Sequence, residues 1–460
     1  MSIFAFKSTV FFYKCLLLRE NIYKTTMIMQ LIRPILLILL TFFTSTVIAQ
    51  NVIRTVHEAK KGETLNSLSE YYSVTVDALL SVNPEMSSNP KKKIKRGYLV
   101  NIPERILGDY SVVSQDTFCL AVVLPLSASG KEGERCLEYY RGLLMAVDKV
   151  RQNGRCIKVV AIDEPGVKKG ISEVVSKLNN LNPDAIVGPL YPSHFQPISA
   201  VSQSKNIQTI VPFSSKVKEV ETNPNLYLLN TPLSVVQEVS YSLFCSKFRG
   251  RRCVIIRTND ASDADVVNYW VNKLWQQNYE VHTLSQGFSR QELMSALSIS
   301  KPNVIILDGS NKDDVLTILN KVHEYTNGGK NNRISVVGHN AWQLFSMEYD
   351  ELFSTLDTYV LAQDYYNAHS KQVIDFEEKY YEWFKKYPLM LHPRMGELGY
   401  DTGLYLFTAS EGDAQVDHKG KRIEYLQSNL KFKKLVNGGY VNSSVIFLHF
   451  DSSNIPDIVE

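Results

Sequence analysis

DAIVGPLYPSHFQPISAVSQSKNIQTIVPFSS, residues 184–215, is the stretch on which the fold turns. Its first apolar run, 185–187, has no polar alternation and is stopped by Gly188-Pro189. A helix is predicted over 195–205, and a second apolar run, 209–211, is stopped by Pro212. Short strands without alternation are buried on both faces, and a helix joining two of them makes them parallel neighbours. The same punctuation extends in both directions. Upstream, 119–124 and 157–162 read as strands, and 137–150 and 171–181 as helices. Downstream the pattern restarts, with helices at 236–248, 264–277, 290–298 and 314–325 and strands at 253–257, 280–284, 304–307 and 334–337. Two successive α/β units of similar size predict two lobes, each a doubly wound parallel sheet, with a cleft between them. Ligands of such sheets bind beyond the carboxyl ends of the strands.

This order resembles the type 1 periplasmic-binding-protein superfamily. LPLSASGKEGERCLEYYRGLLMAVDKV, 124–150, is similar to its first strand, loop and long first helix, and 184–215 to the strand–loop–helix–strand segment that reaches the cleft. GELGYDTGLYLFTAS, 396–410, is similar to the late helix of the first lobe, with Tyr400-Asp401 as the family's Tyr-Asp pair. The resemblance implies a domain over 117–460 whose chain crosses between lobes near Thr231, Leu361 and Val436. Lobe 1 is then about 117–231 and 362–436, and lobe 2 about 232–361 and 437–460.

The resemblance also implies a small-ligand cleft. Ser193, Ser214 and Ser215 match the loop hydroxyls that hold a ligand carboxylate, a chemistry suited to free amides at helix starts. Ser193 serves equally well as a helix cap. His339 and Asn340 stand where amino-acid-binding members carry an acid for the ligand ammonium, and RTNDASDADV, 257–266, lacks their Tyr-Gly step. Tyr365, with Tyr366, is placed to wall the cleft or to fill the core. VGPLYPS also resembles outer-membrane activators of peptidoglycan synthases, which keep this fold without a small ligand and bind the synthase through its surface. Two functions stay open. One is capture of a small solute, such as an amino acid or a muropeptide, for a transporter or a sensor. The other is a ligand-free scaffold that activates a peptidoglycan synthase.

Ahead of these lobes, VIRTVHEAKKGETLNSLSEYYSVTVDALLSVNPEMSSNPKKKIKRGYLVNIPE, 52–104, reads as one β-α-α-β module without cysteine. Gly62 makes a turn, Thr64 caps a first helix and Glu63 suits its positive end. Leu65, Leu68 and Tyr72 share one helical face. Thr75 caps a second helix that Asn83-Pro84 stops. Through Gly62 to Leu65, Asn83-Pro84, Arg96-Gly97 and Val100 to Pro103 the module resembles the LysM domain. That resemblance implies binding of N-acetylglucosamine polymers, chiefly peptidoglycan, in a groove where Gly62, Glu63, Thr64 and Leu65 face Asn83, Pro84, Glu85 and Met86. The same residues also make the caps and turns of the fold. The run Lys91, Lys92, Lys93, Lys95 and Arg96 is a solvated loop in one reading and an attraction to acidic wall polymers in another.

An export leader is expected before the module. From Met27 or Met29, Arg33 is followed by the apolar core 35–43, with Val47 and Ala49 at the positions signal peptidase inspects, so cleavage is expected after Ala49. The core is shorter than the roughly twenty residues a bilayer-spanning helix needs. No cysteine follows it before Cys119, so a lipid anchor is not expected. Residues 1–26 read as neither leader nor domain, which makes Met27 or Met29 the expected start. The location is then the periplasm or cell envelope.

A formal charge of +3 is too small to point to nucleic acid. Cys119 and Cys156 stand ahead of two strands and would bridge if those strands start level; Cys245 and Cys253 form a second candidate pair. Neither has histidine at metal-ligand spacing, and no cofactor is expected. Asp163, Glu164 and Asp308 read as strand-end charges by the cleft. Without Gly-x-Ser-x-Gly, His-Glu-x-x-His or a phosphate loop, and without the carboxylate pair a wall hydrolase needs, an enzyme is not expected.

Overall fold

The computed structural model describes residues 53–103 and 117–460, apart from 73, 75, 77, 78, 81, 82, 84, 85, 87, 88, 330–332, 385, 411 and 452–454. The expected leader and its cleavage site lie outside these residues, as do Thr75, Pro84 and Glu85.

The N-terminal module pairs β1 (Ile53–Glu58) antiparallel with β2 (Leu99–Pro103), with α1 (Leu65–Tyr72) between them in sequence. Leu65, Leu68, Val74, Leu79, Val100 and Ile102 form its core. Asn83 is fully buried and explains why an amide side chain stands at that stop. Its Nδ2 donates to the carbonyls of Leu79 and Asn101, both at 2.7 Å, and its Oδ1 accepts the amide of Asn101 at 2.8 Å. One side chain thus ties the second helical segment to β2 and satisfies its own polar atoms in the core.

The first lobe is built on β3 (Phe118–Leu124), β4 (Ile157–Asp163), β5 (Ala185–Val187), β6 (Gln208–Val211) and β7 (Leu226–Leu228), with α2 (Lys131–Gln152), α3 (Ser172–Leu181) and α4 (Pro192–Lys205) between them. The second uses α5 (Leu233–Phe248), β8 (Arg252–Arg257), α6 (Ala264–Gln276), β9 (Val281–Ser285), α7 (Arg290–Ala296), β10 (Asn303–Leu307), α8 (Lys312–Thr326) and β11 (Ile334–His339). Short helices α9 (Gln343–Ser346) and α10 (Asp350–Thr355) lead to β12 (Thr358–Ala362). The chain then returns to the first lobe with α11 (Lys371–Phe384) and α12 (Met395–Thr408), followed by β13 (Ala409–Ser410), β14 (Asp413–Asp417), β15 (Phe432–Lys434) and β16 (Tyr440–Asn442). It ends in the second with β17 (Ile446–Phe450) and β18 (Asp457–Val459).

The strand orders are β15-β16-β7-β6-β5-β3-β4 and β18-β17-β12-β11-β10-β8-β9. The four strands predicted for each lobe, β3 to β6 and β8 to β11, run parallel, and the unpredicted β7 and β16 in the first sheet and β12 in the second extend the parallel order. Alternate residues of β3 bury on opposite faces: Leu120, Val122 and Leu124 in one core, Ala121 and Val123 in the other. That two-sided burial is the reason these strands carry no polar alternation. The fold is thus α/β with two doubly wound sheets, as expected.

Three expectations need correction. β16 pairs with β7 in the first sheet, so the third crossing falls at 443–445 rather than near Val436. α2 starts at Lys131, six residues before its apolar face becomes regular, because the polar KEGER turn carries Glu132 and Glu134 at the favourable helix end. β3 and β4 are parallel neighbours, but their register sets Cys119 beside Lys158, and Cys119, Cys136, Cys245 and Cys253 are free thiols. Among the described residues no helix is long and apolar enough to cross a membrane.

The returning helix α12 packs backbone to backbone on α2. A Cβ on Gly399 would stand 1.9 Å from the Tyr139 carbonyl oxygen, and one on Gly142 1.7 Å from that of Gly396. Gly399→Ala is therefore expected to cost at least about 2 kcal/mol, read as a lower urea midpoint. The same contact buries Glu397 completely, with neither carboxylate oxygen hydrogen-bonded. Burial pushes its carboxyl up to about 8, against the pull of Arg394. The folded state therefore holds this proton more tightly than the unfolded chain, and stability falls as pH rises from the ordinary carboxylate range through about 8. Glu138 and Asp401 shift in the same direction. Glu397→Gln keeps the neutral shape, so a melting series against pH should show a shallower alkaline decline and a midpoint a few degrees higher above pH 8.

Candidate functional site

The strand orders place one topological switch point in each lobe, between β3 and β5 and between β8 and β10. In open α/β sheets the crevice beyond the carboxyl ends of those two strands is the binding position. In the first lobe that crevice is formed by the loop from β5 to α4. Gly188 (φ +118) passes so close to β3 that a Cβ would meet the Val123 carbonyl oxygen at 2.0 Å. The loop then turns the amides of Leu190 and Tyr191 inward.

Those amides already have an anion. Glu164, one residue beyond β4 and buried, accepts Leu190 N at 2.8 Å and Tyr191 N at 3.1 Å. Its Oε1 lies 2.7 Å from Nδ1 of buried His194. Burial raises the carboxyl above its ordinary range, opposed by the two amides and His194. Asp163 beside it accepts the amide of Ser127 at 2.9 Å and also its hydroxyl. The Tyr191 hydroxyl donates to Glu132 and closes the far side.

The second lobe repeats the arrangement with different residues. Asp308, at the end of β10, accepts Thr258 N at 2.7 Å and Arg257 Nη1 at 2.9 Å. Asp260 accepts the amides of Ser310 and Asn311, both at 2.9 Å, at the start of α8. Loss of hydration works against its charge. Hydrogen bonds from Thr258, Ser310, Asn311 and Ser262 outweigh that and hold the carboxyl below its ordinary range. Each switch point is thus occupied by a carboxylate of the chain itself.

The six cleft residues read from the sequence fall in different surroundings. Ser193 is exposed in the first turn of α4, which begins at Pro192 with no side-chain cap, so its capping role does not arise. Ser214 Oγ accepts the amide of Lys216 at 3.2 Å, and Ser215 lines a recess of about 550 Å³ with Val217, Leu228 and Val235. His339 is buried and donates from Nε2 to the Leu307 carbonyl at 2.8 Å. Asn340 turns away to His392 Nε2 at 2.9 Å and to Gln343 at 2.6 Å. Tyr365 is half-buried on another recess of about 290 Å³, with Gln427 and Ile446. Sequence reading placed Glu164 and Asp308 at strand ends; it missed Asp260, whose only signal is an acid just past β8. Among the described residues no three His, Cys, Asp or Glu side chains gather as metal ligands.

In the N-terminal module Gly62 takes a positive φ of 96°. Glu63 Oε2 accepts the amide of Lys60 at 2.6 Å and sits 2.8 Å from His57 Nε2. Thr64 Oγ1 accepts Ser67 N at 3.1 Å, and Ser67 Oγ accepts Thr64 N at 2.8 Å, a reciprocal cap on α1. Gly62 to Thr64 are therefore engaged in the turn itself. Leu65 and Met86 share a recess, while Asn83 faces the core.

No family model matches this sequence, and no curated protein does. Solved structures do match in fold. A Rhodospirillum rubrum protein named for branched-chain amino acid ABC transport superimposes with a TM-score of 0.51 at 10% identity, over 75% of this chain and 100% of that one. Haemophilus influenzae LpoA gives 0.49 at 12% identity, over 75% of this chain and 59% of that one. A Desulfitobacterium hafniense ABC transporter substrate-binding protein in complex with Leu gives 0.41 at 14% identity, over 75% and 100%. At these identities the likeness concerns architecture, and the two-lobed body has the type 1 periplasmic-binding-protein fold.

If Glu164 is the resident anion of the first lobe, Glu164→Ala empties its cradle. The variant should lose about 2–4 kcal/mol of stability, and acetate or formate, but not chloride at equal ionic strength, should recover part of its melting midpoint.

Proposed function

We propose that this chain is an exported, non-enzymatic envelope protein that grips wall glycan with its N-terminal module and presents its two-lobed body as a scaffold for a protein partner, a peptidoglycan synthase being the class the sequence favours. One observation supports the scaffold over a solute carrier: both switch-point cradles hold carboxylates of the chain, Glu164 and Asp260. A ligand carboxylate entering there would have to displace an internal one that is already hydrogen-bonded. The dispersal of Ser193, Ser215, His339 and Tyr365 supports the same reading. The glycan tether is supported by the LysM-like motif run, by the antiparallel β1–β2 pair and by the Asn83 clasp that its Asn-Pro stop requires.

Melting the protein against amino acids and muropeptides is the direct test of the body, because a specific ligand raises the midpoint. Leucine and the other amino acids should leave it unmoved at millimolar concentration, and a synthase should be retained by the immobilised protein. A rise with any amino acid returns the body to solute capture. For the tether, the intact protein should co-sediment with purified sacculi and a version lacking 52–104 should not; equal sedimentation of both removes the glycan role of the module.

A further inference from the structure

The basic run of the N-terminal module does not stand off as a free loop. Ile94 N donates to the Glu63 carbonyl at 2.7 Å and Asn66 N to the Pro90 carbonyl at 3.0 Å, while Thr64 and Lys93 form an isolated antiparallel bridge. These contacts strap residues 90–94 along the start of α1. The strap closes a recess of about 250 Å³. Leu65, Met86, Ile94 and Tyr98, all packed on the module core, line its apolar side, and Lys92, Lys93 and Lys95 stand exposed at its rim. Among the described residues no acidic one lines it, and these three lysines make no ion pair. The recess is therefore cationic on one side and apolar on the other. Its volume is just below the roughly 300 Å³ at which ordinary ligand pockets begin, which suits one sugar unit better than a larger compound.

We propose that this recess recognises an N-acetylated sugar that also carries a carboxylate, so that the module selects acidic wall glycan over neutral N-acetylglucosamine polymer. The acetamido methyl lies against Leu65, Met86 and Tyr98, and the carboxylate faces the lysine rim. The proposal rests on the glycan-tether reading and adds a charge requirement to it. Neutral polymer meets only the apolar side. Acidic glycan also gains contacts at the rim that salt screens, because the amines are exposed.

The test uses the full chain in titrations with two soluble probes, chitotetraose and an oligosaccharide of alternating N-acetylglucosamine and N-acetylmuramic acid. At low salt the acidic probe should bind about tenfold tighter, the sum of a few weak exposed ion pairs, and 0.5 M NaCl should erase most of the difference. The triple variant Lys92→Ala, Lys93→Ala, Lys95→Ala should keep the melting midpoint and the affinity for chitotetraose and lose the preference. Equal binding of the two probes by the natural chain, or a preference that survives the triple variant, overturns the charge requirement and leaves the tether standing. Binding of neither probe overturns the tether and this proposal together. Tighter lysine-dependent binding to phosphatidylglycerol vesicles than to the acidic probe overturns it in favour of a membrane surface.

Discussion

The approach of α12 to α2 is the contact on which the two-lobed body depends. α12 belongs to a segment that has left the second lobe and must be recaptured by the first. Gly142 and Gly399 remove the side chains that would hold the helices apart, and backbone meets backbone. From that position the buried Asp401 accepts the amides of Leu426, Gln427 and Ser428. Gln427 in turn accepts the amide of Tyr365 through its carbonyl and that of Arg394 through its side chain. One helix contact thus organises the connection between lobes. The Tyr400-Asp401 pair is structural in this setting: Asp401 folds the return segment and Tyr400 packs on Phe376.

The charge arrangement at the strand ends follows from the same economy of buried polar groups. Loop amides at a switch point need an acceptor, and in a carrier protein a ligand provides it. Here β4 and β8 are each followed by an acid that reaches across to the neighbouring loop, so Leu190, Tyr191, Ser310 and Asn311 are satisfied without a guest. The N-terminal module is organised differently, with its polar turn closed on itself and a recess rimmed by lysines.

Much of the fold was legible because the strands are short, apolar and sharply punctuated. β3, β5, β8 and β10 could be placed within a residue or two, since two-sided burial leaves no polar position inside them. The elements after Ala362 were largely not legible. β13 to β18 are two to five residues long and several carry charged residues, so no periodicity marks them. The third crossing was misplaced for the same reason: Tyr440–Asn442 is too short to show which sheet it joins. The cysteine pairing failed because it needs a register across strands distant in sequence, and the register found sets Cys119 beside Lys158.

By itself the sequence determined the α/β class, the two lobes, the compact module ahead of them and the acids at the strand ends, because burial and turn chemistry act on neighbouring residues. Only the tertiary structure decided what those acids do. Whether Glu164 faces water, a ligand or the amides of Leu190 and Tyr191 depends on bringing residue 164 within 3 Å of residue 190, and no local preference encodes a distance across the sheet. The lysine-rimmed recess has the same origin: the run is plain in the chain, but its placement against Leu65 comes from hydrogen bonds to residues some thirty positions away.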